Sequence, residues 1–306
     1  MNAEGGEDSA EPAAAWHSQW EYPHSSAQER RAGRPVALSI AGSDSGGGAG
    51  IQADLLTFAA LGVFGTSAVT CVTAQNPDQV AGVEPIDPQF VSLQIRTVSE
   101  GFPLDAAKTG MLYTAEVVRA VSEAVRTCRI SPLVVDPVMV ASSGARLLRD
   151  EGVEVMQSEL LPMASVITPN REEAEILWGQ AIDSLEAARS AARELGERLG
   201  VACVVKGGHL PDARRQENRG TGGRCVTDVF FSDGEVRELV VPRIEAPETH
   251  GTGCTYAAAV AAWLARGASL HRAVANAQTL VGEALRHAVR AGRHFPLGWM
   301  RAQGVE

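Results

Sequence analysis

The segment Val36-Ala37-Leu38-Ser39-Ile40-Ala41 runs directly into Gly42-Ser43-Asp44-Ser45-Gly46-Gly47-Gly48-Ala49-Gly50, and this into Ile51-Gln52-Ala53-Asp54-Leu55-Leu56-Thr57-Phe58-Ala59-Ala60-Leu61. A short, mostly apolar run predicts a buried strand, and the stretch after the glycines carries apolar side chains at helical spacing. A strand, a glycine-rich turn and a helix together open a βαβ unit. That opening commits the chain to an α/β fold built on a parallel sheet.

Outward from this unit the alternation continues. Strands are predicted over residues 66–73, 105–108, 133–136, 165–168 and 201–205, and helices over 88–98, 115–126, 170–178, 185–199, 255–264 and 270–289. Prolines 137 and 169 close two of the strands one residue on. Residues 226–231 and 236–241, joined by Ser232-Asp233-Gly234, read as a hairpin. The expected architecture is a single α/β domain over residues 35–306, a mostly parallel sheet with helices on both faces and an antiparallel hairpin near one edge. Residues 1–34 lack apolar periodicity and end in Arg30, Arg31 and Arg34. They read as a disordered tail, with Trp16, Trp20 and Tyr22 as the residues able to fold back on a groove.

Composition bounds the function. The 306 residues are 45% hydrophobic and 21% charged, enough to bury a core without disulfides or a structural metal. A net charge of −10 argues against a nucleic-acid partner, because no positive field is available to displace phosphate counterions. The longest apolar run, residues 257–265, is well short of the ~20 residues that span a bilayer. With acidic residues at positions 4, 7, 8 and 11 in place of a signal peptide, a cytoplasmic location is expected. The cysteines 71, 128, 203, 225 and 254 have neither zinc-site nor disulfide spacing, and the first four read as small buried hydrophobes. Of 27 basic residues only Lys108 and Lys206 are lysine, and a compact ammonium kept in an arginine-rich chain marks both as site candidates.

In an open parallel sheet, ligands bind where strands end and helices begin. Four glycine turns fall there: residues 42–50, Lys108-Thr109-Gly110, Lys206-Gly207-Gly208 and Gly251-Thr252-Gly253. The first has neither the lysine of a phosphate loop nor dinucleotide-fold spacing. It is either a flexible connection or a place where backbone meets a ligand, with Asp54 accepting hydrogen bonds from it. Gly251 to Gly253 precede a helix, whose free N–H groups and dipole attract an anion. Cys254 at that terminus reads as a thiolate of lowered pKa or as a buried thiol closing the helix start. A hydrolase with Cys254 as nucleophile lacks the supporting Ser elbow, and His250 is too near in sequence to be taken as its base. Asn170 and Glu173 read as a capping box or as ligands on one helix face. Lys206 reads as a phosphate partner or a solvated lysine, and Asp136 as a metal support or a strand-end cap. Gln75 and Asn76 bring amides to the same edge.

Taken in chain order these segments resemble the ribokinase-like kinases, and among them the bacterial hydroxymethylpyrimidine and phosphomethylpyrimidine kinases of thiamin synthesis. The likeness spans residues 36–290. It rests on Ala41-Gly42-Ser43-Asp44 with Gly46 to Asp54, on Ala74-Gln75-Asn76, on Lys108-Thr109-Gly110-Met111-Leu112 and on Val135-Asp136-Pro137-Val138-Met139. It rests further on Thr168-Pro169-Asn170, on Lys206-Gly207-Gly208-His209, and above all on Gly251-Thr252-Gly253-Cys254, where most ribokinase-like enzymes carry a catalytic aspartate.

The resemblance implies ATP- and magnesium-dependent transfer of a phosphoryl group to the hydroxymethyl of an aminopyrimidine, then a second transfer onto the monophosphate, by a homodimer. It implies that Gly42, Ala49, Asp54, Gln75, Met111 and Val138 line the pyrimidine pocket. Lys206, Asn170 and Thr168 would meet the ATP phosphates, and Glu173, Asn170 and Asp136 the magnesium ion, partly through water. Gly251, Thr252, Gly253 and Cys254 would form the anion hole, with Cys254 as base. A pyridoxal or pyridoxine kinase of the same fold is the nearest alternative, and a non-catalytic pyrimidine or nucleotide sensor the alternative from another class. The tail 1–34, the Arg- and Gly-rich segment 211–224 and the stretch from Gly292 depart from the family pattern.

Overall fold

The computed structural model describes residues 33–140, 147–209, 224–246 and 250–299. By internal contacts the chain divides into Met1–Arg34 and Pro35–Glu306, and the second unit is the subject below. The predicted tail and the segment 211–224 lie outside the described residues, apart from residues 33, 34 and 224.

One nine-stranded sheet forms the centre. Its strands are β1 (Val36–Asp44), β2 (Phe64–Asn76), β3 (Gln79–Pro85), β4 (Ala106–Thr109), β5 (Leu133–Val135), β6 (Val166–Ile167), β7 (Ala202–Val205), β8 (Cys225–Ser232) and β9 (Glu235–Pro242). They lie in the order β3-β2-β1-β4-β5-β6-β7-β8-β9. From β2 to β7 every pairing is parallel. Both edges are antiparallel, β3 on β2 and the β8–β9 hairpin on β7.

Strand periodicity sends alternate side chains to two separate cores. Leu38, Leu133, Val135, Cys203 and Val205 join the core under α2 (Pro88–Gly101), α3 (Ala115–Thr127), α5 (Arg171–Trp178) and α6 (Leu185–Leu199). Ala37, Val134, Ala202 and Val204 face α1 (Gly50–Ala60), α7 (Thr252–Ala265) and α8 (Leu270–Arg286). Because central strands are buried on both faces, they read as unbroken apolar runs, the pattern seen at residues 36–41. No helix among the described residues is long and apolar enough to cross a membrane.

Beyond shifts of a few residues at element ends, four features were not expected. Strand β3 was not predicted; it pairs with the overhanging end of β2 after a turn in which Asn76 Oδ1 accepts from the N–H groups of Asp78 and Gln79 at 2.9 and 3.1 Å. Helix α4 (Asp150–Val155), also unpredicted, continues through a π-turn and a 3-10 turn to Met163. Helix α7 begins at Thr252, three residues before the predicted start, so Gly253 and Cys254 sit inside its first turn. The C-terminal stretch docks: Leu297 and Trp299 pack on Ala53, Ala60 and Ala284, and Trp299 Nε1 donates to Thr255 Oγ1 at 3.0 Å. All five cysteines are free; Cys71 and Cys203 are buried as expected, while Cys128 and Cys225 are only partly so.

Candidate active site

The parallel strands end on one side of the sheet and together carry Asp44, Lys108, Asp136, Asn170 and Lys206 to the rim of a cavity of about 650 Å³. Its floor is the N-terminus of α7, and β8, β9 and α8 close the far side.

The glycine-rich loop is tied by Asp44. Its carboxylate accepts from the N–H groups of Gly46 (2.8 Å), Gly48 (3.1 Å) and Ala49 (2.9 Å). Those amides are therefore spent, and the loop is no phosphate cradle. It serves as a backbone wall: Gly42, Ala49 and Gly50 line the cavity. At Gly251, with φ +87°, a Cβ would lie 1.8 Å from the Gly48 carbonyl oxygen, so the two glycine loops meet backbone to backbone. Gln75 closes this end. Its backbone N–H donates to Ser45 Oγ at 2.8 Å and its side-chain nitrogen lies 2.9 Å from His250 Nε2. Burial holds the His250 imidazole below its ordinary pKa, against the pull of Asp44, so it stays neutral near pH 7. Met111 and Val138 line the cavity and pack with Cys71 and Leu147.

Asp54 corrects the sequence reading. It is fully buried behind the wall, and its oxygens are taken by Lys108 Nζ at 2.8 and 2.9 Å and by the Ser39 hydroxyl at 2.6 Å. A carboxylate so engaged has no free oxygen for a ligand. Lys108, for which sequence reasoning gave no role, lines the cavity in its place. Burial pulls its pKa down, but Asp54, Cys254 and Asp136 outweigh that, so it is held above the ordinary lysine range and is a fixed cation. Gly110 makes room for it, since a Cβ there would lie 2.8 Å from Nζ.

At the anion end, Gly251 caps α7 with no side-chain hydrogen bond, which leaves the first-turn N–H groups of Thr252 and Gly253 open. Lys206 Nζ lies 2.8 Å from Asp136 Oδ1, and a Cβ on Gly253 would lie 3.3 Å from the same Nζ. An ammonium and a helix N-terminus thus meet at one point, which is the electrostatic pattern of a phosphate site. Burial works against the charge on Lys206, but Asp136 and Glu173 hold its pKa above the ordinary value. Thr168 is a second correction: it is fully buried and its hydroxyl donates to Asp136 Oδ1 at 3.1 Å, so it orients Asp136 and does not border the cavity.

Cys254 is a third. The helix terminus predicted a lowered thiol pKa, whereas burial raises it to about 11, an effect that Lys108 opposes and that Asp54 and Asp136 add to. Loss of hydration outweighs the helix dipole here. The resting group is a thiol.

Asn170 and Glu173 form the full capping box of α5, Asn170 N–H to Glu173 Oε2 at 2.8 Å and Glu173 N–H to Asn170 Oδ1 at 2.9 Å, while both also line the cavity. Burial pushes Glu173 up to about 7, with Lys206 pulling it down and Asp136 pushing it further up. Among the described residues no group of three or more His, Cys, Asp or Glu side chains is placed to hold a metal ion. Two carboxylates, Asp136 and Glu173, each with one oxygen already engaged, suit a hard cation that keeps its water and leans on a nucleotide's phosphates.

Sequence reasoning missed the far side of the cavity. Asp228 is buried and its Oδ1 accepts the Gly207 N–H at 2.7 Å, which fixes the turn behind Lys206; Val226, Val241, Val281 and Leu285 add an apolar surface. Only one signal was available, the Gly207-Gly208 pair: a Cβ on Gly207 would lie 1.8 Å from the Thr227 carbonyl oxygen.

The family profile described as phosphomethylpyrimidine kinase matches residues 44–297. The hydroxymethylpyrimidine/phosphomethylpyrimidine kinase of Bacillus subtilis is 43% identical over 84% of this chain and 91% of its own length. Among solved structures, phosphomethylpyrimidine kinase from Clostridium difficile covers 82% of this chain and 99% of its own at 34% identity and a TM-score of 0.69. An ADP complex of Bacillus subtilis pyridoxal kinase covers 87% and 97% at 33% identity, with a TM-score of 0.77.

Proposed function

Because the chain belongs to the phosphomethylpyrimidine kinase family, we propose that it transfers the γ-phosphoryl of ATP to the hydroxymethyl of 4-amino-5-hydroxymethyl-2-methylpyrimidine, and then a second phosphoryl to the resulting monophosphate. The single observation that carries this reading is the open N-terminus of α7 set against Lys206 in the cavity.

Phosphoryl transfer through a loose transition state spreads negative charge over the equatorial oxygens, so positioning and electrostatics do most of the work. The N–H groups at the start of α7 and the Lys206 ammonium supply fixed positive charge at that point. Magnesium, which neutralises nucleotide phosphates when bound, would be held by Glu173 and Asp136, in part through water, with Asn170 beside them. The aminopyrimidine ring would lie between Met111 and Val138, with Gln75 offering its amide to the ring edge and Gly42 and Ala49 allowing close approach. Cys254, at the floor, takes the hydroxyl proton of the first acceptor; the second acceptor is an ionised phosphate and needs no base.

A thiol raised to about 11 gives this assignment a pH signature. Below that value the thiolate fraction grows about tenfold per pH unit. The single-turnover rate of the first transfer should therefore climb with pH between 7 and 9.5, and that of the second should not follow it. Cys254→Ala should lose the slope and cost the first transfer about 10²-fold, and the second much less. Equal losses, or a wild-type first transfer indifferent to pH, would remove Cys254 as the proton acceptor.

The activity itself is tested by ADP release with the pyrimidine alcohol and with its monophosphate. Turnover of both is expected. The similarity to pyridoxal kinase supplies the competing acceptor, and a higher kcat/KM for pyridoxal than for the pyrimidine alcohol would overturn the substrate assignment.

A further inference from the structure

We propose that His250 is a positioning residue for Gln75: its ring nitrogen Nε2 takes one amide N–H and so fixes which end of the amide meets the amino edge of the pyrimidine. This rests on the reading above that Gln75 faces the ring of the acceptor, and it gives a task to a histidine that the phosphoryl transfer does not use.

The backbone of Gln75 is already fixed, because Ser45 Oγ accepts its N–H and donates to its carbonyl oxygen, both at 2.8 Å. What stays free is the amide, whose two ends have nearly the same shape and opposite hydrogen-bonding character. On one side its nitrogen lies 2.9 Å from His250 Nε2, and on the other its Oε1 lies 3.2 Å from the Thr73 hydroxyl oxygen. Thr73 cannot choose between the two orientations. Its hydroxyl has one proton, the Ser43 carbonyl oxygen is nearer at 3.0 Å, and the hydroxyl oxygen accepts equally well from an amide turned the other way. The choice therefore falls to His250. A neutral imidazole has one bare nitrogen, and when Nε2 accepts from the amide the ring proton belongs on Nδ1.

The imidazole rests on the glycine loop, where a Cβ on Gly48 would lie 3.4 Å from its Cδ2. Among the described residues the charged group bearing on it is Asp44, at the end of β1. Asp44 Oδ2 is 3.7 Å from Nε2, too far for a hydrogen bond, and already accepts from Gly48 and Ala49. His250, Gln75, Thr73 and Asp44 all line the cavity. With one amide N–H given to His250 and one Oε1 lone pair to Thr73, the amide keeps one donor and one acceptor. An aminopyrimidine offers the complement, an amino donor beside a ring-nitrogen acceptor. A reversed amide would set donor against donor.

The test is nitrogen NMR of the histidine rings in the isotopically labelled full chain at pH 7.5, with His250 assigned among the seven histidines by its loss in His250→Phe. Wild type should show the proton on Nδ1 and a bare Nε2. In Gln75→Glu, whose carboxylate only accepts, Nε2 should gain a proton. A protonated Nε2 in wild type, or a signal averaged over both forms, overturns the proposal. Calorimetry without nucleotide then compares the aminopyrimidine alcohol with its analogue lacking the amino group. His250→Phe should weaken binding of the amino ligand about tenfold and of the analogue much less, and equal weakening overturns the proposal. His250→Ala serves both purposes should the phenylalanine variant not fold. If wild type binds neither ligand, the substrate reading fails, while the ring signals still decide whether His250 holds the amide.

Discussion

Replacing Lys206 by alanine should slow both phosphoryl transfers by about 10²–10³-fold in single-turnover ADP formation, with a smaller change in apparent affinity for the pyrimidine. The expectation follows from what surrounds the side chain. Its ammonium sits beside the first turn of α7 and is the partner of Asp136, with Glu173 close enough to feel its charge. Removing it strips the site of that positive charge and leaves Asp136 without its ion-pair partner to face the incoming phosphates. Arginine should not rescue the loss, because a Cβ on Gly253 would already lie 3.3 Å from Nζ and a forked guanidinium needs more width than an ammonium. Thermal denaturation run alongside separates catalysis from folding. A loss of less than tenfold in a folded variant would mean that the phosphates are neutralised elsewhere.

Replacing Asp54 by alanine should lower the stability to unfolding by about 3–5 kcal/mol, the cost of leaving one buried charge without its partner. Lys108 has no exposure to water, and Asp54 is what keeps its pKa above the ordinary range. In the variant, burial acts on Lys108 unopposed by Asp54 and depresses its folded pKa, so the unfolded state binds the proton more strongly. Stability then increases as pH rises toward the unfolded lysine value, and the deficit should narrow between pH 7 and pH 9.5. Urea unfolding at the two pH values measures both effects. A deficit below about 1 kcal/mol, or one independent of pH, would show that the pair is not the buried ion pair described.

The central strands were legible because burial on both faces leaves no polar alternation to misread, and the turns because proline and glycine punctuate them. Helix α6 was read to its ends, since Ser184 caps it and Gly200 stops it in a left-handed conformation. Strand β3 was not legible: residues 79–85 are mostly exposed, and only the free edge of β2 makes them a strand. Helix α4 is six residues long and owes its place to Val153 and Val155 in the core, a tertiary cause invisible to periodicity.

The site shows the same division. Residues whose backbone or charge faces the cavity announced themselves through glycine and lysine at strand ends. Asp54 and Thr168 were placed one layer too near the ligand, because a sequence motif does not distinguish a residue in the wall from the one behind it. The thiol of Cys254 was misjudged for a related reason: helix position is local and readable, whereas desolvation depends on the whole fold around it. Asp228 and the surface from β8, β9 and α8 come from the end of the chain and meet the earlier motifs only in three dimensions.

The two lysines, one within β4 and one just after β7, leave a protease that cuts only after lysine with two bonds to attack in the whole 306-residue chain. The bond after Lys108 lies inside a fully buried central strand, so cleavage there requires that strand to leave the sheet. The chain thus carries its own reporter of large-scale opening at the wall of its active site. Nucleotide or pyrimidine bound in the cavity would register as protection from the blade, in proportion to how far it shifts the balance toward the closed form.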